Sequence, residues 1–151
     1  MDSILADKLT LCKLSGIHKS YDRVVNEALE QDWGLERFFT KLIDEEIISR
    51  ENNRFNRLYK KANFPLLKTI EDFDFVAAPF LRKKDIMPLF SCNFINQNQN
   101  LIFIGNSGVG KTHIAVSLGV EACKLGKTVA FYTAAALGNK LVELQDEYQL
   151  S

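Results

Sequence analysis

The chain has 151 residues, of which 46% are hydrophobic and 25% are charged, as in ordinary globular proteins. Its 19 basic residues balance its 19 acidic residues, so any contact with nucleic acid must come from a local basic patch and not from the charge of the whole molecule. No apolar run approaches the ~20 residues that span a bilayer. No secretory signal is visible at the N-terminus either, which predicts a cytoplasmic protein with no membrane partner.

The cysteines point to a reducing compartment. Cys12, Cys92 and Cys123 are odd in number, widely spaced and form no C-x-x-C pair. They are interpreted as reduced thiols that serve as packing residues.

Apolar residues at helical spacing predict three helices in the first part of the chain. The first covers Ser3 to Ser15, the second continues to Trp33, and the third, much longer, covers Leu35 to Ala62. Glycines between the helices and a proline after the third one favour these boundaries. Residues 1–64 are therefore predicted to form a helical domain and residues 65–100 a connector.

The long helix carries a basic stripe near its C-terminal end. Four cations recur there at spacings of four, three and four residues, which places them on one helical face. Such a stripe can neutralise DNA phosphates. The alternative is a solvated face, with cations favoured near the negative end of the helix dipole. The candidate DNA-binding residues are Arg50, Arg54, Arg57 and Lys61.

The second half of the chain is organised around a glycine-rich loop. Four apolar residues, Leu101 to Ile104, run into the pattern G-x-x-x-x-G-K-T, and an apolar helical pattern follows. A second apolar, β-branched stretch, Thr128 to Thr133, has the composition of another strand. Strand, loop and helix in this order predict a phosphate-binding loop in a partial P-loop NTPase domain over residues 101–151.

The residue types in this loop fit the chemistry of a triphosphate. Glycines let the backbone turn its N–H groups inward, and the following helix adds its positive N-terminal end. Lys111 is predicted to reach the β- and γ-phosphates of ATP, and the Thr112 hydroxyl to ligate Mg²⁺. His113 could approach the phosphates, but a surface or packing role is favoured. The predicted nucleotide-binding residues are Gly105, Asn106, Ser107, Gly108, Val109, Gly110, Lys111 and Thr112.

These residues together resemble a known family. The chain is similar to the IstB-like ATP-binding proteins of insertion sequences, close relatives of the DnaC-type helicase loaders, from about Leu11 to Leu144. The stretches that carry the resemblance are Glu51–Arg54, Glu71–Phe75, Leu101–Ala115, Glu121–Cys123, Gly126 and Phe131–Ala135.

The resemblance implies a transposition helper of the AAA+ type. Such proteins bind ATP, oligomerise on DNA and activate or direct a partner transposase. Their N-terminal helical domain serves DNA and partner contacts. The resemblance also makes Phe73 and Phe75 candidates for contact with the adenine base, with core packing as the alternative.

The end of the chain departs from the family pattern. The only acidic pair after the loop, Asp146-Glu147, follows an amphipathic helical pattern and not the apolar strand that ATP hydrolysis on this fold requires. We therefore expect an α/β chain with a helical N-terminal domain and a parallel-sheet AAA+ domain that is incomplete at its C-terminus. The expected activity is ATP binding with little or no independent hydrolysis.

Three other functions stay open. The chain could be a non-enzymatic DNA- or partner-binding module in which the helices before residue 63 carry the function. It could also be a helicase loader of the DnaC type, active in replication. A small-molecule kinase fits the loop but fits the long helical region poorly.

Overall fold

All regular secondary structure in the described part of the chain, residues 1–149 of a computed structural model, is helical. Leu150 and Ser151, which end the predicted NTPase segment, lie outside the described residues. The elements are α1 (Ser3–Leu11), α2 (Ser15–Glu30), α3 (Leu35–Ala62), α4 (Lys83–Ile86), a 3₁₀ helix (Met87–Ser91), α5 (Asn93–Asn96), α6 (Lys111–Lys124) and α7 (Ala134–Gln149).

Spatial contacts divide the chain into two units, Met1–Asn56 and Arg57–Ser151. The division falls within α3, which is continuous from Leu35 to Ala62. The domain boundaries predicted from the sequence stay predictions.

The N-terminal unit buries one apolar face of each of its helices. Leu9 of α1, Ile17 and Val24 of α2, and Leu42 of α3 form its core. The predicted apolar stripe of α3 is only partly buried, because Leu35 and Phe39 on the same helix are 87% and 64% exposed. The helical spacing therefore predicted the helix correctly but overstated how much of its face the unit covers.

A buried carboxylate ties α3 to the start of α2. Glu46 is 5% exposed, and its Oε2 accepts hydrogen bonds from the backbone N–H groups of Gly16 at 2.7 Å and Ile17 at 3.2 Å. Its Oε1 accepts a bond of 2.7 Å from Arg50 Nε. The N-terminal N–H groups of a helix have no partner within the helix, so Glu46 supplies acceptors that α2 lacks.

We expect Glu46→Gln to weaken the N-terminal unit most at neutral pH. Burial by itself raises the pKa of Glu46, but the hydrogen bonds from Arg50, Ile17 and Gly16 outweigh it and hold the pKa below its ordinary value. The carboxylate thus stabilises the fold fully above the unfolded pKa, about 4.3, and this stabilisation is lost as pH falls through the lower folded pKa. At pH 7 the variant should lose about 2 kcal/mol of unfolding free energy.

Urea unfolding, followed by the fluorescence of Trp33, checks this expectation. Trp33 is the one tryptophan of the chain and lies in the N-terminal unit, so its emission reports that unit. The difference between wild type and variant should shrink between pH 7 and pH 3.5. Glu51→Gln, an exposed change on the same helix, is the matched control. An equal difference at both pH values would contradict the role given to the Glu46 charge.

The second unit is built around α6. This helix buries Ile114, Val116, Leu118 and Val120, and its Ile114 and Leu118 belong to a core cluster that also contains Phe73. Partly buried residues packed against that cluster include Leu101 and Phe103 of the segment that leads into the glycine-rich loop. The loop is thus held between a packed extended segment and the most buried helix of the unit.

The predicted parallel sheet is wrong. Neither segment 101–104 nor segment 128–133 forms a strand, and no strand occurs elsewhere in residues 1–149. Burial along the first segment alternates, with Leu101 and Phe103 half-buried while Ile102 and Ile104 are 81% and 91% exposed. That two-residue alternation is the pattern of an extended chain with one face on a core.

The sheet fails because pairing is absent, not because the residues are unsuitable. A strand requires a second extended segment whose backbone groups complete its ladder. In the second segment, the N–H of Phe131 instead donates to the carbonyl of Ala62 at 2.8 Å. The carbonyl of Gly105, the residue that follows the first segment, accepts a hydrogen bond from Lys111 Nζ. Apolar and β-branched composition therefore predicted extended backbone but could not supply its partner.

The other predicted elements are mostly confirmed. The third helix has the predicted bounds, Leu35–Ala62, and α7 contains the acidic pair that the sequence placed on a helix and not on a strand. The first helix ends earlier than predicted, at Leu11, and the second ends at Glu30 and not at Trp33. None of the helices in the described range combines the length and the apolar character needed to cross a membrane.

Two of the three cysteines fit the predicted packing role. Cys92 and Cys123 are each 1% exposed, and burial raises the pKa of both thiols. Cys12 is exposed, so a packing role for it is wrong. All three thiols are free.

Candidate phosphate-binding site

The glycine-rich loop turns the chain from the extended segment into α6. Gly108 and Gly110 adopt positive φ angles of 80° and 90°, a region that side chains rarely enter. Gly110 is also the residue immediately before the first turn of α6. Glycines at these two places thus let the loop reverse direction and begin a helix without backbone strain.

The N-terminus of α6 faces the loop with its own N–H groups. Its first residues are Lys111, Thr112 and His113, and no side chain makes a capping hydrogen bond at this end. Uncapped N–H groups and the positive end of the helix dipole favour an anion. Thr112 is exposed in this first turn, so its hydroxyl is accessible beside Lys111.

Lys111 is held by the loop itself. Its Nζ donates to the carbonyl oxygens of Gly105 at 2.8 Å and Asn106 at 2.6 Å. The ammonium group therefore lies over the loop and is already fixed in direction, which reduces the side-chain entropy that an incoming anion would otherwise have to restrict. A phosphate at the loop would offer this ammonium group charged oxygens in place of the two neutral carbonyl acceptors.

An apolar cleft adjoins the lysine. It has a volume of about 460 Å³, and Lys111 and Asn106 are its polar side chains. Its remaining lining is apolar side chains and one glycine, and no carboxylate lines it. The lining residues are Phe80, Leu81, Ile102, Phe103, Ile104, Gly105, Asn106, Val109, Lys111 and Ile114.

Phe73 does not line this cleft. The ring is 9% exposed and packs against Gly110, the position where a Cβ atom would lie 2.5 Å from Phe73 Cε2. Phe75 contacts Phe73 with ring centroids 4.8 Å apart. Of the two alternatives for these aromatic residues, adenine contact and core packing, the contacts favour packing.

His113 also has a packing role. It is half-buried, its ring meets that of Phe73 edge to face at 5.1 Å, and its Nε2 lies 2.8 Å from the carbonyl oxygen of Thr69. This contact joins residues that are 44 apart in the sequence. The sequence contained no local signal for it beyond the aromatic and acidic composition of residues 69–75.

The four candidate DNA-binding cations differ in their surroundings. Arg50 is engaged with Glu46, although its side chain remains 60% exposed. Arg54, Arg57 and Lys61 are exposed along the remainder of α3. The helix is continuous through all four positions, so the predicted spacing along it is retained.

Comparison with known proteins places the chain in a family. Residues 7–150 match the family model of the IstB-like ATP binding proteins. The chain therefore belongs to the IstB-like ATP-binding protein family. This result confirms the resemblance read from the sequence.

Three relatives belong to insertion sequences and are named for ATP binding. A protein of IS5376 from Geobacillus stearothermophilus is 36% identical over 75% of the chain and 45% of its own length. A protein of IS232 from Bacillus thuringiensis subsp. berliner is 32% identical over 97% and 58%, respectively. A protein of IS21 from Pseudomonas aeruginosa is 30% identical over 95% and 55%. The chain thus spans about half the length of these relatives.

Proposed function

We propose that this chain binds ATP at residues 105–112 and acts as an ATP-binding helper in the transposition of an insertion sequence. The observation that carries the proposal is the position of Lys111, whose ammonium group lies over a glycine-rich turn at the uncapped start of α6. Membership of the IstB-like family and relatives named for ATP binding in insertion sequences support the same function.

Each part of the loop has a proposed role. The backbone N–H groups from Gly105 to Gly110 surround the phosphates, and Lys111 contacts the β- and γ-phosphates. The base and ribose face the apolar cleft beside Lys111, which holds about 460 Å³. Residues of the chain thereby bind and orient the nucleotide.

The loop also fits Mg²⁺ bound together with a nucleotide. Within the described residues, no group of three or more His, Cys, Asp or Glu side chains could hold a metal ion. Mg²⁺ commonly uses one or two protein ligands together with substrate phosphates and water. The exposed hydroxyl of Thr112 is the proposed protein ligand, and the ion would neutralise phosphate charge there.

The proposed activity is binding with little independent hydrolysis. Hydrolysis requires a group that positions or activates the attacking water, commonly a carboxylate beside the phosphates. The residues that line the cleft contribute Lys111 and Asn106 as polar side chains. These side chains can hold phosphates, but neither of them is a carboxylate.

Titration with a fluorescent ATP analogue and Mg²⁺ tests the proposal. We expect Lys111→Ala to weaken binding by about 10- to 100-fold, because a charge-assisted hydrogen bond contributes about 1.5–3 kcal/mol. Lys124→Ala, at the other end of the same helix and paired with Glu121, is the matched control and should bind as wild type does. Equal affinity of wild type and Lys111→Ala would refute nucleotide binding by this loop.

The helper function includes proposed contacts with DNA and a partner transposase, and assembly into homo-oligomers. The exposed cations of α3 support the DNA contact. Arg50 is already paired with Glu46 at 2.7 Å, which reduces its contribution in this proposal. The insertion-sequence context of the relatives supports the transposase partner and favours this reading over a replicative helicase loader.

The salt dependence of DNA binding measures the contribution of the stripe. Each phosphate contact releases counterions and adds about 0.9 to the slope of log K against log salt concentration. We expect Arg57→Gln and Lys61→Gln each to lower that slope by about 0.9, the contribution of one phosphate contact. Lys140→Gln, an equal change of charge on α7, should leave it unchanged; fluorescence anisotropy with duplex DNA gives the slopes. Unchanged slopes in the α3 variants would show that the stripe is an ordinary solvated face.

A non-enzymatic module is the competing proposal from a different class. In that case the N-terminal helices would carry the function and the loop would be dispensable. The Lys111→Ala variant separates the two, because a helper should lose function in a transposition assay while a module should retain it.

A further inference from the structure

We propose that Phe73 and His113, together with the carbonyl of Thr69, form a buttress that positions the phosphate-binding loop from behind. The inference rests on the proposed function for its binding readout, although the contacts that define the buttress do not depend on it. Phe73 and His113 are positioning residues in this proposal, because neither is proposed to touch the nucleotide.

The ring of Phe73 supports the last residue of the loop. At Gly110 the three atoms nearest to an added Cβ all belong to this ring, at 2.5, 2.9 and 3.7 Å. Gly110 has a φ of 90°, so its backbone conformation and the ring contact both require the absence of a side chain. The end of the loop therefore rests directly against the edge of an aromatic ring that is itself buried.

His113 links the start of α6 to the same segment. A carbonyl oxygen can only accept, so the 2.8 Å contact between His113 Nε2 and Thr69 O is a hydrogen bond in which Nε2 carries the proton. The edge-to-face contact of the His113 ring with Phe73, at 5.1 Å and 84°, fixes the ring's orientation. The imidazole is thereby committed to a structural contact and not to the phosphates.

The segment that supplies these contacts is itself held in a turn. The carboxylate of Asp72 accepts from the Thr69 N–H at 3.2 Å and from the Thr69 hydroxyl at 2.8 Å. The N–H of Phe73 donates to the carbonyl of Ile70 at 3.1 Å. Thr69 and Phe73 thus belong to one closed turn, so the two contacts they make act as a unit.

The consequence lies in the two residues between these contacts. Lys111 and Thr112 follow Gly110 and precede His113, and they are the proposed ligands of phosphate and Mg²⁺. With Gly110 fixed by a ring and His113 by a hydrogen bond, the backbone between them is restricted on both sides. A binding site that is already ordered before the ligand binds loses less conformational entropy on binding and therefore has a higher affinity.

Four variants separate this role from ordinary core packing. Phe73→Leu removes the ring under Gly110 while keeping an apolar side chain. Phe75→Leu is the matched control, because Phe75 packs against the same cluster and contacts Phe73 at 4.8 Å. His113→Ala removes the hydrogen bond to Thr69, and His113→Gln offers a replacement donor as a rescue variant.

Amide hydrogen exchange of residues 108–112 without nucleotide is the first readout. We expect exchange to rise about ten-fold in Phe73→Leu and in His113→Ala, while Phe75→Leu and His113→Gln stay near wild type. Affinity for the fluorescent ATP analogue with Mg²⁺ should fall by about ten-fold in Phe73→Leu and in His113→Ala, and stay near wild type in the other two variants.

The two readouts distinguish failure of the buttress from failure of the proposed function. Equal exchange in Phe73→Leu and Phe75→Leu would overturn the buttress, whatever the nucleotide result. No nucleotide binding by wild type would overturn the proposed function, while the exchange comparison would still decide the buttress. If far-UV circular dichroism shows that Phe73→Leu does not fold, the comparison of His113→Ala with His113→Gln tests the buttress instead. Loop exchange at the wild-type rate in both of these variants would refute the buttress.

Discussion

Gly16→Ala is expected to remove a large part of the stability of the N-terminal unit. A Cβ atom at this position would lie 2.7 Å from Glu45 O and 2.7 Å from Glu46 Cα, both backbone atoms of α3 that cannot move alone. The hydrogen bonds from Gly16 and Ile17 to Glu46 would lengthen as the helices separate. Overpacking and the weakened bonds to a charged group outweigh the gain of about 1 kcal/mol in helix propensity, for a net loss of about 3 kcal/mol.

That loss is large beside the stability of a unit of this size, which is about 3–8 kcal/mol. Thermal and urea unfolding followed by Trp33 emission measure it, since the tryptophan reports the N-terminal unit alone. Gly34→Ala is the control, because nothing lies within 4 Å of a Cβ there. It should change stability by less than about 0.5 kcal/mol. If Gly16→Ala were as stable as Gly34→Ala, the close approach of α2 and α3 would be wrong.

Gly110→Ala is expected to abolish nucleotide binding. The added Cβ would meet the Phe73 ring at 2.5 Å, and a φ of 90° strains any residue with a side chain by about 1–2 kcal/mol. The loop must therefore shift away from the ring, and Lys111 and Thr112 shift with it. Titration with the fluorescent ATP analogue and Mg²⁺ should show at least about 100-fold weaker binding.

Gly108→Ala separates the ring contact from the backbone strain. Its φ of 80° is close to that of Gly110, but nothing lies within 4 Å of a Cβ at this position. We expect an intermediate loss of binding and a smaller loss of thermal stability than in Gly110→Ala. Identical behaviour of the two variants would mean that Phe73 does not constrain the loop.

The helices were predictable because their signals are local. In α3 the apolar spacing begins after Gly34 and stops before Pro65, and the helix has the predicted bounds, Leu35–Ala62. What the spacing could not predict is which part of the stripe is covered, since Leu35 and Phe39 remain exposed. Burial depends on neighbours that the helix's own sequence does not specify.

The sheet prediction was wrong for the same reason, because strand pairing also depends on segments that are distant in the sequence. Residues 101–104 and 128–133 have the composition of strands, and the first segment shows the alternating burial of an extended chain. Strand pairing is a property of two segments, and Phe131 forms its backbone bond with Ala62. Composition alone could not show that the pairing would be missing from the described residues.

The sequence predicted the loop of the candidate site but not the contacts of Phe73 and His113 that hold the loop in place. The spacing of Gly105, Gly110, Lys111 and Thr112 in one short motif identified the loop. The contact between His113 and Thr69 joins residues 44 apart, which no local pattern reports. By contrast, the ion pair between Arg50 and Glu46 has a local signal in the sequence, because the two residues lie four apart on one helix.

The central claim is that this loop binds a chain of phosphates, and calorimetric titration of wild type with Mg²⁺ plus ATP or AMP tests it most directly. The two ligands share the base, the ribose and the α-phosphate, so a difference between them measures the contacts of the β- and γ-phosphates. We predict that ATP binds about 100-fold more tightly than AMP and that Lys111→Ala removes most of that difference. Equal affinity for ATP and AMP in wild type would contradict the account, since the loop would then make no use of the β- and γ-phosphates.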